Sequence, residues 1–381
     1  MSIPSIGVKI LKKRKDNMDF ILSLAEKLIS IILSIMTFFT GGFSTQEPTY
    51  SPTNPDQLKL NAAVISDTHI AQDEIECRNL LRKGIADINN SAVPTDVFAI
   101  VGDNTDNGKP EEFKLFFNEL SACKKAMLTI VAMGNHDSWK AENSFNAFYS
   151  EYSAFLRQPV TTTYRHFTKN DYHFFTLGTE QKMQNEAYLS EAQLNWINLE
   201  LSAVSYTDKP VFIFLHQPFN GTNRVNQAWA LGILGEQSDQ LMAILKHYTD
   251  QGMVIVVFSG HLHSGFGYSG VTNDGNLYFV DCPSFGQTPS RGEVIETGTG
   301  YVVEGYIGQL IIRARNFVTG QFYDRFTYTI KTNETPIPQE PTTNPGEPPT
   351  EPPTQPPVDE PTTEERTTSP VELPVELPPV A

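Results

Sequence analysis

The chain has 381 residues, 39% apolar and 11% aromatic, which is enough to build a core and excludes a wholly disordered protein. Three Cys exclude a disulfide-dense scaffold. A formal charge of −16, from 28 basic and 44 acidic side chains, argues against a nucleic-acid binder, which needs basic surface to displace phosphate counterions.

Residues 1–44 are basic. Lys12-Lys13-Arg14-Lys15 precedes an apolar stretch from Leu28 to Phe39, and Thr40-Gly41-Gly42 follows. A basic cluster, about a dozen apolar residues and then small residues form the pattern of an export signal. Glu26 and Lys27 break the longer apolar run. The expectation is therefore a signal peptide or N-terminal membrane anchor at 1–44 and a linker at 45–58. Such a protein is secreted or held on the outer cell surface, and it meets the membrane only through that segment.

The folded body is expected at 59–331. Near-continuous apolar runs at 61–65, 97–101, 128–132, 211–215 and 254–258 read as buried strands. Helical patterns lie between them at about 75–89, 110–121, 143–157 and 238–248. Ser190-Glu191-Ala192-Gln193 predicts a capping box that opens a further helix to about Leu201. A hairpin is expected from Tyr164, with Lys169-Asn170 at its turn. Alternating stretches near 277–281, 300–307, 309–316 and 322–330 read as antiparallel strands. From Thr335 to Ala381, 15 of 47 residues are Pro, and Thr and Glu fill the gaps. Residues 332–381 are thus expected to be a disordered, extended tail, since Pro supplies no backbone donor for a ladder.

Each of the five apolar runs in the body ends in side chains that bind metals. They deliver Asp67 and His69, then Asp103, then Asn135 with His136 and Asp137, then His216, then His261 and His263. Sites in α/β folds gather at the carboxyl ends of strands. Carboxylate, amide and imidazole together suit Mn, Fe or Zn better than Ca or Mg, and no Cys belongs to the set. With two ions close together one carboxylate must bridge them, and Asp103 is the natural choice. His166, His173 and His247 fall outside these clusters and read as satisfied or surface residues. Asp106, three residues past Asp103, reads equally well as an orienting partner or a turn residue.

The order Asp67-Thr68-His69, Gly102-Asp103-Asn104, Gly134-Asn135-His136-Asp137, His216 and Gly260-His261-Leu262-His263 resembles the calcineurin-like metallophosphoesterase superfamily. The resemblance implies an α/β fold, a four-layer α-β-β-α double β-sandwich. It implies two divalent metal ions, one on Asp67, His69, Asp103 and His263, the other on Asp103, Asn135, His216 and His261. It implies that His136 is the catalytic histidine, with Asp137 hydrogen-bonded to its ring. The implied chemistry is attack on phosphorus by a hydroxide bridging the two ions.

Asn107 and Asp137 replace the Arg and Glu that protein phosphatases carry, and Asp106 stands where purple acid phosphatases place a Tyr. The motifs look most like the cyclic-nucleotide-phosphodiesterase-like branch. An exported phosphoesterase acting on small phosphoesters or a cell-wall phosphodiester is the leading expectation. A metal-dependent nuclease, and a surface binding or adhesion protein on the same fold, are the alternatives. Oligomeric state leaves no mark in the sequence.

Overall fold

The computed structural model of the chain describes residues 49–205, 207–222, 233–268 and 270–333. The basic head at 1–44 and the Pro-rich tail beyond Asn333 lie outside the described residues. No helix among the described residues is long and apolar enough to cross a membrane.

Strands β1 (Leu60–Ile65), β2 (Val97–Val101) and β3 (Leu128–Ala132) pair in parallel. Helices α1 (Ile75–Asn89) and α2 (Pro110–Leu120) connect them, and α3 (Ser144–Leu156) follows β3. Pro110 sits at the first helical position of α2, where its missing N–H costs nothing, and Glu111 and Glu112 favour the positive end of the helix dipole. The antiparallel strands β10 (Thr299–Tyr306), β11 (Gln309–Asn316) and β12 (Phe322–Lys331) complete this first sheet beyond β1, in the order β12-β11-β10-β1-β2-β3.

The second sheet runs β4-β5-β6-β7-β9-β8. It consists of β4 (Arg165–Lys169), β5 (Tyr172–Leu177), β6 (Val211–Leu215), β7 (Ile255–Ser259), β8 (Val271–Asp274) and β9 (Leu277–Asp281). Helices α4 (Glu191–Ala203) and α5 (Ser238–Thr249) belong to this half. Alternation along β6 and β7 separates two cores. Phe212, Phe214, Val256 and Phe258 join the core shared with the first sheet, whereas Val211, Ile213, Leu215, Ile255 and Val257 pack with Leu194, Ile197, Leu241 and Leu245 of α4 and α5. A period of two puts successive side chains on opposite faces, so strands buried on both faces must be apolar throughout. The layers are helix, sheet, sheet, helix, as expected.

Four local expectations need correction. The β4–β5 turn is Asn170-Asp171, not Lys169-Asn170: both residues have positive φ, 52° and 60°, which Asn and Asp tolerate and Lys does not. Strand β9 is antiparallel only to β8 and pairs in parallel with β7. The capping box is half formed. Ser190 Oγ accepts from Gln193 N at 3.2 Å, but the buried Gln193 amide donates to Gly178 O and Glu180 Oε2, and Glu180 takes the Ser190 N–H. Finally, residues 49–58 are not a free linker. Tyr50 is buried against the core, and Arg315, itself fully buried and paired with Asp87, lies over the Tyr50 ring and donates to Thr49 O.

Candidate metal centre

All five ligand-bearing strand ends meet at one place. Asp67 and His69 follow β1, Asp103 follows β2, Asn135 to Asp137 follow β3, His216 follows β6, and His261 and His263 follow β7. Among the described residues, Asp67, His69, Asp103 and His263 form one group able to hold an ion, and Asp103, His216 and His261 form another. Asp103 is common to both, its Oδ2 lying 3.1 Å from His216 Nε2 and 3.8 Å from His69 Nε2. Asn135 joins the second group: its Oδ1 is 2.9 Å from His261 Nδ1, while its amide N–H donates to Gln184 O at 2.7 Å. That donation fixes which end of the amide faces the cluster.

The backbone is bent to bring these groups together. Five of the eight non-glycine residues with positive φ among the described residues are Asp67, His69, Asp103, His261 and His263. Such strain persists only where surrounding contacts enforce it, and it marks functional sites. Gly134 shows how close the approach is. A Cβ there would lie 2.2 Å from Asp103 Oδ1. Gly134→Ala should therefore push Asp103 out of place, and elemental analysis of a still folded variant should find most of the metal lost. Full metal content in that variant would refute the tight packing argued here.

Buried atoms of the cluster fit cations. His216 Nδ1 donates to Val101 O at 2.7 Å, which leaves a lone pair on Nε2, and Nε2 has no hydrogen bond although Asp103 Oδ2 lies 3.1 Å away. Two acceptors in that position repel unless a positive charge stands between them. His69 Nε2 and His263 Nε2 face each other at 3.0 Å. Burial disfavours the charged imidazole of His69, but Asp106, Asp67 and Asp103 outweigh it and push its pKa up to about 10. Burial opposes charge on His216 as well, and Asp103 and Asp67 push it up to about 9. His261 goes the other way: burial, helped by His216, holds it down at about 3. A site that draws protons so strongly onto imidazoles beside two buried carboxylates has the charge balance of a cation site.

His136 stands outside the two groups that share Asp103 and falls in a third with His69 and Asp106. Its ring is 4.7 Å from that of His69, centroid to centroid, and edge-on to it. Its Nδ1 donates to Asp106 O at 2.9 Å, with Asp106 Oδ1 at 3.4 Å. The expected bond from Asp137 to this ring is not made. Asp137 is buried and its two oxygens accept from Gly134 N, Asn104 N, Asn104 Nδ2, Thr105 N and Thr105 Oγ1. Five donors fix it as a clamp between the turns after β2 and β3, and Asp106 takes the place beside the histidine. Asp106 also approaches His69 Nδ1 at 3.5 Å and Lys140 Nζ at 3.6 Å. Burial lowers the His136 pKa, but Asp106 and Asp103 overcome it and raise it above the ordinary value. His166 and His173 lie elsewhere, bonded to each other, with Glu200 on the other nitrogen of His166, and His247 contacts Gln251.

A family model described as calcineurin-like phosphoesterase matches residues 60–265, more than half of the chain. The chain belongs to the calcineurin-like phosphoesterase family. A probable glycerophosphodiester phosphodiesterase GpdQ from Arcobacter nitrofigilis is 31% identical over 162 residues, 40% of this chain and 55% of that protein. A probable cyclic nucleotide phosphodiesterase from Rhodococcus erythropolis is 29% identical over 208 residues, 52% of this chain and 63% of that protein. The chain thus spans between half and two thirds of these relatives. The solved purple acid phosphatase PPD1 from yellow lupin seeds aligns with 71% of this chain and 53% of its own, with a TM-score of 0.52 and 14% identity, a likeness of fold alone.

In this calcineurin-like phosphoesterase the site lies in a cleft of about 340 Å³. Asp103, Asn135, His136, His261 and His263 line its floor, and Asn185, Leu262 and Ser290 complete it. Asn185 and Ser290 escaped the sequence reading because each stands in a loop without a motif.

Proposed function

We propose that this calcineurin-like phosphoesterase is a metal-dependent phosphoric ester hydrolase that acts on small phosphodiesters and phosphomonoesters outside the cytoplasm. The observation that carries the reading is the convergence of Asp67, His69, Asp103, Asn135, His216, His261 and His263 on one buried point, with His136 beside it. The names of the two relatives favour diesters. The export-like head supports an extracellular place of work.

In this reading Asp67, His69, Asp103 and His263 hold one divalent ion, and Asp103, Asn135, His216 and His261 hold a second. When bound, such ions supply Lewis acidity to phosphoryl oxygens and lower the pKa of water enough for attack at neutral pH. The protein's own share is positional and acid–base. Val101 O and Gln184 O orient His216 and Asn135. Asp106 keeps the His136 Nδ1 proton in place and its ring toward the charged form, so His136 can pass a proton to the departing alkoxide.

The test is turnover of bis(p-nitrophenyl) phosphate and p-nitrophenyl phosphate by the purified protein, before and after chelation and with Mn, Zn or Fe restored. Activity lost on chelation and regained with metal is expected, the diester being the faster substrate. Inertness toward both esters with two metals bound would refute the reading.

A further inference from the structure

A pair of histidines away from the metal centre is built for a cation of its own. His166 on β4 and His173 on β5 stand diagonally across the hairpin, since His166 pairs with Phe175 and Thr168 with His173. A period of two puts both on one face of the sheet. His173 is the second residue of β5, near the amino ends of the parallel strands β5, β6 and β7. The groups around Asp103 gather beyond the carboxyl ends of β6 and β7, at the other end of the sheet.

His166 Nε2 and His173 Nδ1 are 3.0 Å apart, and Glu200 Oε2 of α4 lies 2.8 Å from His166 Nδ1. The carboxylate takes the Nδ1 proton, so the His166 lone pair is on Nε2 and aims at His173. A carboxylate behind an imidazole is the arrangement that fixes tautomer and orientation in metal-binding histidines. The His166 ring also stacks on Phe175, with centroids 4.3 Å apart and 24° between the planes. Both imidazoles are partly exposed, so an ion can reach them. Burial, helped by His166, holds the His173 pKa below the ordinary imidazole value, so this ring is neutral at pH 7.

One proton, on His173 Nδ1, lies between the rings. Moved to Nε2 of the same ring, it leaves two facing lone pairs and no net charge is gained or lost. The centroids are 5.2 Å apart, so the nitrogens face almost head-on, and a small turn of His173 brings its lone pair onto a shared ion. Metal–nitrogen bonds of about 2.0 Å to atoms 3.0 Å apart meet at about 95°, the cis angle of a tetragonal ion and narrower than a tetrahedral one. Cu(II) takes that geometry and heads the divalent series in affinity for imidazole.

We propose that His166 and His173 chelate one Cu(II) ion through Nε2 and Nδ1, with Glu200 orienting His166 and water in the remaining positions. Bound there, the ion fastens the edge strand β4 to β5 and, through Glu200, to α4. The assignment is independent of the phosphoesterase reading. The test uses the whole protein loaded with Zn(II), which is silent in electron paramagnetic resonance. One equivalent of Cu(II) should then give a signal split by two imidazole nitrogens. His166→Ala and His173→Ala should each lose that signal, with zinc content and circular dichroism as in the wild type. Glu200→Ala should keep the signal and bind Cu(II) about 10–100-fold more weakly. Wild-type protein that takes up no Cu(II) beyond its zinc, or a two-nitrogen signal that survives in both histidine variants, overturns the proposal.

Discussion

Asp103→Ala should strip the protein of most of its metal and reduce phosphodiester turnover by about 10³-fold or more. The size follows from the loss of several kcal/mol of charge stabilisation at phosphorus, at about 1.4 kcal/mol per tenfold in rate. The geometry makes Asp103 the most exposed to such a loss. Its Oδ2 lies 3.1 Å from His216 Nε2 and 3.8 Å from His69 Nε2, nearer to both than Asp67 Oδ1 at 3.9 Å, and Asp103 belongs to both ligand groups. Its Oδ1 accepts from His136 N at 2.9 Å, so the same residue holds the turn that carries His136. Asp103→Asn keeps the shape and removes the charge. It should therefore preserve the circular dichroism spectrum and still fail to retain two ions by elemental analysis. A fully active Asp103→Ala protein with two metals would remove Asp103 from the centre altogether.

His136→Ala should have the opposite pattern: metal retained, rate lost. His136 shares a group with His69 and Asp106 but stands outside the two groups centred on Asp103. A general acid contributes about 10²–10⁴-fold, so that is the expected drop in kcat for an alkyl diester, whose departing alkoxide needs a proton. For bis(p-nitrophenyl) phosphate, whose leaving group needs none, the drop should be about tenfold or less. Asp106→Asn should shift rates in the same direction by a smaller factor, since it acts on phosphorus only through the imidazole. Equal losses for both leaving groups would discard proton donation and leave only electrostatic support from the ring.

The ligand set was legible because each member follows an apolar run. A buried parallel strand needs apolar residues on both faces, so it announces itself in sequence, and the first polar residues beyond its end are where a site must lie. Asp67, Asp103, Asn135, His216 and His261 are all of this kind. The helices from Ile75, Pro110 and Ser238 were equally plain, because periodicity and capping act within a few residues.

Pairing and partner choice were decided only in three dimensions. Val271–Asp274 has no apolar pattern, being a short polar strand at the sheet edge, and β9 became parallel to β7 because the intervening chain crosses over instead of turning back. Asp137 lies next to His136 in sequence, which made it the obvious partner of the ring. The folded turns instead bring five donors to Asp137 and leave Asp106, thirty residues earlier, beside the imidazole. Asn185 and Ser290 carry no local signal at all. Their places depend on long-range bonds, one from Asn135 after β3 to Gln184 after β5 that joins the two sheets, the other between Ser290 and His263 in loops of the second sheet. Local pattern thus determined which residues could bind metal, and tertiary structure decided how each is oriented and what stands at the entrance.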